Sequence, residues 1–283
     1  MDVPAPPEQD ADIEQEWLSL PGGPTGRVRA RIIRPAGSVG PLPVILYVRG
    51  PGRLLDGDGT RTRLAGDLAV GADAAVLVPE YDLPPRSRYP VAIEQIYAAA
   101  RWGAKQGGQA GLDASRMAVV GDSAGGNLAI ALTLMAKQRG EIRLLHQVLF
   151  SPVTDAGCDT PSFARFASGY LLGRESMRWF WEHYTTTAQR AEITASPLRA
   201  ALDQLAGLPP ALIVTGEADV VHDEAEAYAA KLRAARVPVA AVRYLGTVHD
   251  FVAFDALRGT YASRTALIQA IDVLHVALHS HVH

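Results

Sequence analysis

The stretch Met117-Ala118-Val119-Val120-Gly121-Asp122-Ser123-Ala124-Gly125-Gly126-Asn127 most constrains what this chain folds into. A short apolar run, Ala118 to Val120, ends in Gly-Asp-Ser-Ala-Gly. An apolar pattern through Leu128, Ile130, Leu132, Leu134 and Met135 follows at once. Strand, sharp turn and helix in that order are the setting in which G-x-S-x-G places a serine on a nucleophile elbow. A turn this tight crowds the backbone, and a Cβ on either side of Ser123 would clash, which is the task of the flanking glycines. The hydroxyl is then held proud of the sheet, over a helix N-terminus whose free N–H groups favour negative charge. The same letters also suit a plain strand–helix turn that carries a serine. The rest of the chain has to decide.

A length of 283 residues admits one large α/β domain or two small ones, and 48% hydrophobic residues supply a sizeable core. Net charge is −3 with no basic block, which argues against nucleic acid and anionic membrane as partners. Cys158 is the lone cysteine, so neither an intrachain disulfide nor a cysteine cluster for a metal can form. The N-terminal residues are acidic and proline-rich, with no basic n-region and no apolar h-region. No apolar run reaches the ~18 residues of a membrane span. The expectation is a soluble, cytoplasmic protein.

Residues 1 to 12 read as a mobile tail. Ile13–Leu20 reads as a first strand, and Arg27–Arg34 as a half-exposed edge strand that alternates Val28, Ala30 and Ile32 with arginines. Val44–Val48, Ala74–Val78, Leu144–Phe150, Ala211–Thr215 and Val239–Tyr244 are apolar runs of the kind buried on both sheet faces. Leu64–Val70, Val91–Lys105, Glu224–Ala235 and Tyr261–His279 read as helices, the third with Ala225, Tyr228 and Leu232 on one face. Buried strands alternating with helices predict a mainly parallel α/β sheet in one domain over residues 1–283. The exception is 155–208, a long, aromatic, largely helical stretch with Phe163, Phe166, Tyr170, Met177, Trp179, Phe180, Trp181 and Tyr184. It reads as a cap inserted above the carboxyl ends of the strands, where open α/β sheets bind ligands. Most of its aromatics are expected to hold the insertion together, and some to shape an apolar pocket.

A serine hydroxyl needs a general base, and the base needs a group to fix its tautomer. On an elbow of this kind the partners follow in the order Ser, Asp or Glu, His, each just after a strand. Gly216-Glu217-Ala218-Asp219 follows one strand, and Leu245-Gly246-Thr247-Val248-His249 follows the next. Asp219 and His249 therefore have the right type, order and position. Glu217 and Asp223 are rivals for the acid, although Asp223 resembles a helix-capping residue. Among other histidines, His146 opens a strand, His183 and His222 sit in helical contexts, and His275, His279, His281 and His283 belong to the C-terminal helix and tail. His275 and His279 can meet at i, i+4, but no third ligand is evident and no metal site is expected.

With these segments placed, the chain resembles the bacterial branch of the hormone-sensitive lipase family, the α/β-hydrolase fold-3 esterases. The resemblance rests on Gly121 to Asn127, the Pro79-Glu80-Tyr81-Asp82-Leu83-Pro84-Pro85 loop with Tyr89-Pro90, and Ser151 to Asp155. It continues through Trp179-Phe180-Trp181, Ala195-Ser196-Pro197-Leu198, Asp219 to Glu224 and Gly246 to Phe251, so that it runs from about residue 40 to 255. It implies an α/β-hydrolase fold with a helical cap, a serine esterase acting on small or medium acyl esters, and Ser123, Asp219 and His249 as nucleophile, acid and base. No metal or organic cofactor is implied. Pairing into a homodimer through an edge strand and a late helix is implied too.

Two departures stand out. Where such relatives carry His-Gly-Gly-Gly or His-Gly-Ala-Gly, this chain has Arg49-Gly50-Pro51-Gly52. The resemblance assigns the oxyanion donors to the N–H groups of Gly50, Gly52 and Ala124. Pro51 has no N–H, and losing one such donor costs on the order of 10²–10³ in kcat. Arg49 braces the loop, binds a carboxylate of the substrate, or pairs with a nearby acid. Arg53 stands where an aromatic is common, and Tyr170 and Phe180 join both arginines as pocket candidates. Relatives also carry a longer N-terminal half of the cap. The expectation here is a more open pocket or a cap resting on 155–208 alone. A remodelled loop keeps two further functions open: a lyase, amidase or acyl transferase built on the same three residues, and a binding protein without catalysis.

Overall fold

Eight strands form one sheet in the order β1-β2-β4-β3-β5-β6-β7-β8. The computed structural model describes residues 12–50 and 60–280. β1 (Ile13–Pro21) and β2 (Arg27–Pro35) are antiparallel, as are β2 and β4 (Ala75–Glu80). From β4 onward every pairing is parallel, through β3 (Leu42–Val48), β5 (Leu112–Asp122), β6 (Gln147–Phe150), β7 (Ala211–Ala218) and β8 (Val239–Val248). β3 is buried at every position because helices cover both faces. On one face α2 (Val91–Gln106), α3 (Ala124–Arg139) and α7 (His222–Ala234) close a core that includes Ile96, Leu132, Leu149 and Tyr228. On the other, α1 (Thr60–Ala72) and α8 (Tyr261–His279) pack Leu64, Leu68, Ala270 and Leu274 against Ile45, Val120 and Phe150.

Helices and strands fall where the sequence expects them, but the strand expected at a half-exposed edge, Arg27–Arg34, lies between β1 and β4 with Ala30 to Ile33 buried, and the ends of several elements differ. The elbow strand starts at Leu112 rather than near Ala118, and its pairing with β3 shifts register between Pro43 and Val44. β7 and β8 run on to Ala218 and Val248, past the apolar runs that end at Thr215 and Tyr244. Parallel pairing continues across the polar residues after a shift between Gly216 and Ala218, and apolar patterning gives no sign of that. The consequence is positional: β5, β7 and β8 each end one residue before Ser123, Asp219 and His249.

Between β6 and β7 the chain forms α4 (Pro161–Arg165), α5 (Arg174–Tyr184) and α6 (Leu202–Leu205). Phe163, Phe166, Met177 and Trp181 are buried in the core shared with α3, whereas Tyr170 and Trp179 are exposed. Asn127 Nδ2, on α3, donates to Ala195 O at 2.8 Å and ties this stretch to the body. No helix among the described residues is long and apolar enough to cross a membrane.

Candidate active site

Ser123 has φ 56° and ψ −122°, a sparsely populated conformation for a residue with a Cβ. Such backbone costs about 1–3 kcal/mol and persists only where its surroundings over-determine it. Here they do. The Ser123 N–H donates to Phe150 O at 2.8 Å, and its carbonyl accepts the N–H groups of Asn127 and Val153, each at 3.2 Å. A Cβ on Gly121 would stand 2.7 Å from the carbonyl carbon of Gly125, and one on Gly125 would stand 2.6 Å from that of Arg49. The two glycines let α3 approach both its own strand and the end of β3.

The side chains that follow the three strand ends meet. His249 Nε2 lies 2.8 Å from Ser123 Oγ, and His249 Nδ1 lies 2.9 Å from each carboxylate oxygen of Asp219. Asp219 is an acceptor, so Nδ1 carries the proton and Nε2 of the neutral ring accepts from the serine hydroxyl. Asp219 is fixed in turn by the Val221 N–H, 3.1 Å from Oδ1. Both Asp219 and His249 are buried. Burial pushes the imidazole pKa down. The Asp219 charge and hydrogen bond outweigh it, with Asp250 and Asp122 adding in the same direction, and the value is raised to about 8.

The rival acids are committed elsewhere. Glu217 Oε2 accepts the Gly246 N–H at 2.8 Å, and Asp223 Oδ2 accepts the Ser162 N–H at 2.7 Å. Asp223 lies inside the first turn of α7 instead of capping it. The described histidines other than His249 have structural settings. His146 is half-buried and its pKa is lowered to about 4 by desolvation. His183 stacks on Trp179, His222 contacts Glu217 O and Asp223, and His275 and His279 stack 4.5 Å apart over the carbonyl of Ala72. Among the described residues, no group of three or more His, Cys, Asp or Glu side chains is placed to hold a metal ion.

Two candidate residues at the loop after β3 have partners within the protein. The Gly50 N–H, assigned to the oxyanion, instead donates to Asp122 Oδ2 at 3.0 Å. Asp122 is fully buried and also accepts the Tyr47 hydroxyl at 2.7 Å, so its carboxylate draws the N–H inward. Gly50 still lies against the elbow: a Cβ there would stand 3.2 Å from Ser123 Cβ. Of the fates open to Arg49, the structure shows pairing with an acid: it is buried and pairs with Glu80 at 2.5 Å, while its carbonyl accepts the Tyr81 hydroxyl. That guanidinium braces the ends of β3 and β4 against each other. Pro51, Gly52 and Arg53 lie outside the described residues, as do residues 1–11 of the expected tail. Ala124 opens α3, so its N–H is one of the four without an intrahelical acceptor.

Of the aromatic candidates, Tyr170 packs edge-on against Phe166, which packs against His222 on the helix after Asp219. Phe180 packs on Trp179 within the insertion. Sequence reasoning missed the role of Glu224, a fully buried carboxylate whose Oε1 accepts the N–H groups of Thr154 at 2.6 Å and Asp155 at 3.2 Å. A signal was present: Glu224 stands four residues before Tyr228, on the apolar face of α7.

A family model described as an alpha/beta hydrolase fold matches residues 45–253. The chain is 36% identical over 241 residues to the carboxylesterase NlhH of Mycobacterium tuberculosis, covering 84% of this chain and 75% of that one. It is 37% identical over 215 residues to an ethyl acetate hydrolase of Pseudomonas putida, covering 75% of this chain and 67% of that one. Among solved structures, a thermostable esterase from Pseudomonas putida ECU1011 superposes with a TM-score of 0.92 at 43% identity, covering 96% of this chain and 85% of that one.

Proposed function

The chain belongs to the hormone-sensitive-lipase-like α/β-hydrolase family and is an ester-cleaving enzyme of the carboxylesterase type; from that premise we propose that Ser123, His249 and Asp219 carry the reaction through an acyl-enzyme. The observation that supports this most is the continuous line of hydrogen bonds from Ser123 Oγ through His249 to Asp219. Ser123 attacks the ester carbonyl while His249 Nε2 takes its proton and then delivers it to the leaving alcohol. Asp219 holds the tautomer and stabilises the imidazolium. Water then attacks the acyl-enzyme, with His249 again as base. The oxyanion forms beside the N-terminus of α3, where the Ala124 N–H donates to it. Gly52 is the second donor this reading assigns, since the Gly50 N–H is held by Asp122.

We read residues 155–208 as the cap. Support comes from its attachments to the helices that follow β5 and β7: Ala195 O accepts from Asn127 on α3, the Ser162 N–H donates to Asp223 on α7, and Phe166 packs against His222 on α7. Tyr170 packs on Phe166 there, and this reading assigns an aromatic cap that favours small apolar acyl groups. The likeness to an ethyl acetate hydrolase supports the same size class. On p-nitrophenyl esters from acetyl to dodecanoyl, kcat/KM is expected to peak at four carbons or fewer on the acyl side, about the range a capped cleft accommodates, and to fall beyond octanoyl. A flat or rising profile would count against a small-ester site.

The His249 pKa sets the pH response. Only the neutral imidazole can take the serine proton, and in the folded enzyme the imidazole stays protonated up to about pH 8. The kcat/KM on a neutral ester is therefore expected to rise tenfold per pH unit below about 8 and to level above it. A profile flat from pH 6 to 9 would show that no group of raised pKa controls attack.

A further inference from the structure

Glu224 is a buried carboxylate that the proposed reaction does not use. It lies in the first turn of α7, five residues after Asp219. Its Oε1 accepts two consecutive N–H groups, those of Thr154 and Asp155, from the chain that leaves β6. The residue just before them, Val153, donates its N–H to Ser123 O. The residue before α7, Val221, donates its N–H to Asp219 Oδ1. These bonds close a ring. It runs from Ser123 through Val153 and Thr154 to Glu224, along the start of α7 to Val221 and Asp219, and back through His249 to Ser123. Nucleophile and acid stand on strands that are not neighbours, because β6 lies between β5 and β7. Glu224 ties the residues that leave β6, Thr154 and Asp155, to the acid's helix.

We propose that Glu224 is a positioning residue for the ester hydrolysis assigned above, acting through Thr154 and Asp155 to fix the spacing between the Ser123 elbow and the Asp219 loop. The proposal rests on that reading of the reaction. Reach matters here more than charge, since a carbonyl-type oxygen at Oε1 suffices to accept both N–H groups. Desolvation raises the Glu224 pKa to about 8, against the lowering pull of the Thr154 and Asp155 N–H groups, and the Asp155 and Asp219 carboxylates raise it further. The Cys158 thiol is raised to about 12, by burial first and then by the charge of Glu224.

Two variants separate reach from charge. Glu224→Asp keeps the charge but withdraws the carboxylate by one methylene, roughly 1.5 Å. Glu224→Gln keeps the acceptor and removes the charge. Rates are measured on p-nitrophenyl acetate and divided by the number of sites titrated with a fluorophosphonate, so that a merely destabilised variant reads as fewer sites with an unchanged kcat. Glu224→Asp is expected to lose about 10- to 100-fold in kcat per titrated site, the cost of a misplacement near 1 Å, with KM held. Glu224→Gln is expected to recover most of that loss. Equal kcat per site in the Asp variant and the parent would overturn the proposal, as would a Gln variant as slow as the Asp variant. If the parent chain is labelled but does not cleave esters, the ester reading fails, and the labelling rates of the same variants decide the positioning role. A parent chain that is not labelled at all overturns both.

Discussion

Replacing Ser123 with alanine is expected to lower kcat on p-nitrophenyl acetate by roughly 10⁶-fold, the scale seen when a serine-hydrolase nucleophile is removed. The side chain's hydrogen bond goes to His249 Nε2, and its backbone is held by Phe150, Asn127 and Val153. Alanine at φ 56° bears the same backbone strain as serine, so the melting temperature should stay close to that of the parent. The loss should fall in kcat rather than in KM, because the hydroxyl enters bonding only as the carbonyl is attacked. Hydrolysis by the purified variant above about one hundredth of the parent rate would place the nucleophile elsewhere.

Asp219→Asn is the second large effect, expected at about 10⁴-fold in kcat. Asparagine can donate to Nδ1, which moves the ring proton to Nε2, where it faces Ser123 Oγ as a donor and can no longer take the serine proton. The same change removes the charge that holds the imidazole pKa near 8, so the residual activity should have its acid limb at lower pH. Glu217→Gln is the control. It keeps an acceptor for the Gly246 N–H and should stay within about twofold of the parent, the range of substitutions away from special contacts. A loss in the Glu217 variant comparable to that in Asp219→Asn would reassign the acid.

The meeting of Ser123, Asp219 and His249 was legible because it follows from sheet order alone. Apolar runs mark the strands, and polar residues of the right type follow three of them. Parallel pairing then brings their ends to one edge. The sequence was mute where the outcome depends on which polar group reaches which. Gly50 offers one N–H, and nothing in its neighbours says that Asp122, 72 positions away, will take it. Arg49 and Glu80 meet because β3 and β4 lie side by side, and a salt bridge was only one of three fates open to that arginine. Glu224 was hidden for the opposite reason. A carboxylate near the start of a helix usually answers the helix dipole from the surface, and only its alignment with Tyr228 marks it as buried. The extents of β7 and β8 were misjudged because hydrogen bonding, not hydrophobicity, carries those strands through Glu217 and Gly246 to the residues that matter.

The central claim is that Ser123 is a working nucleophile with His249 as its base. The most direct test is to react the folded protein with a fluorophosphonate probe and locate the adduct by mass spectrometry, with Ser123→Ala as control. The account predicts a single adduct on Ser123, absent in the alanine variant and forming more slowly as pH falls below about 8. A well-folded sample that stays unlabelled, or an adduct on another residue that survives in the variant, would contradict it.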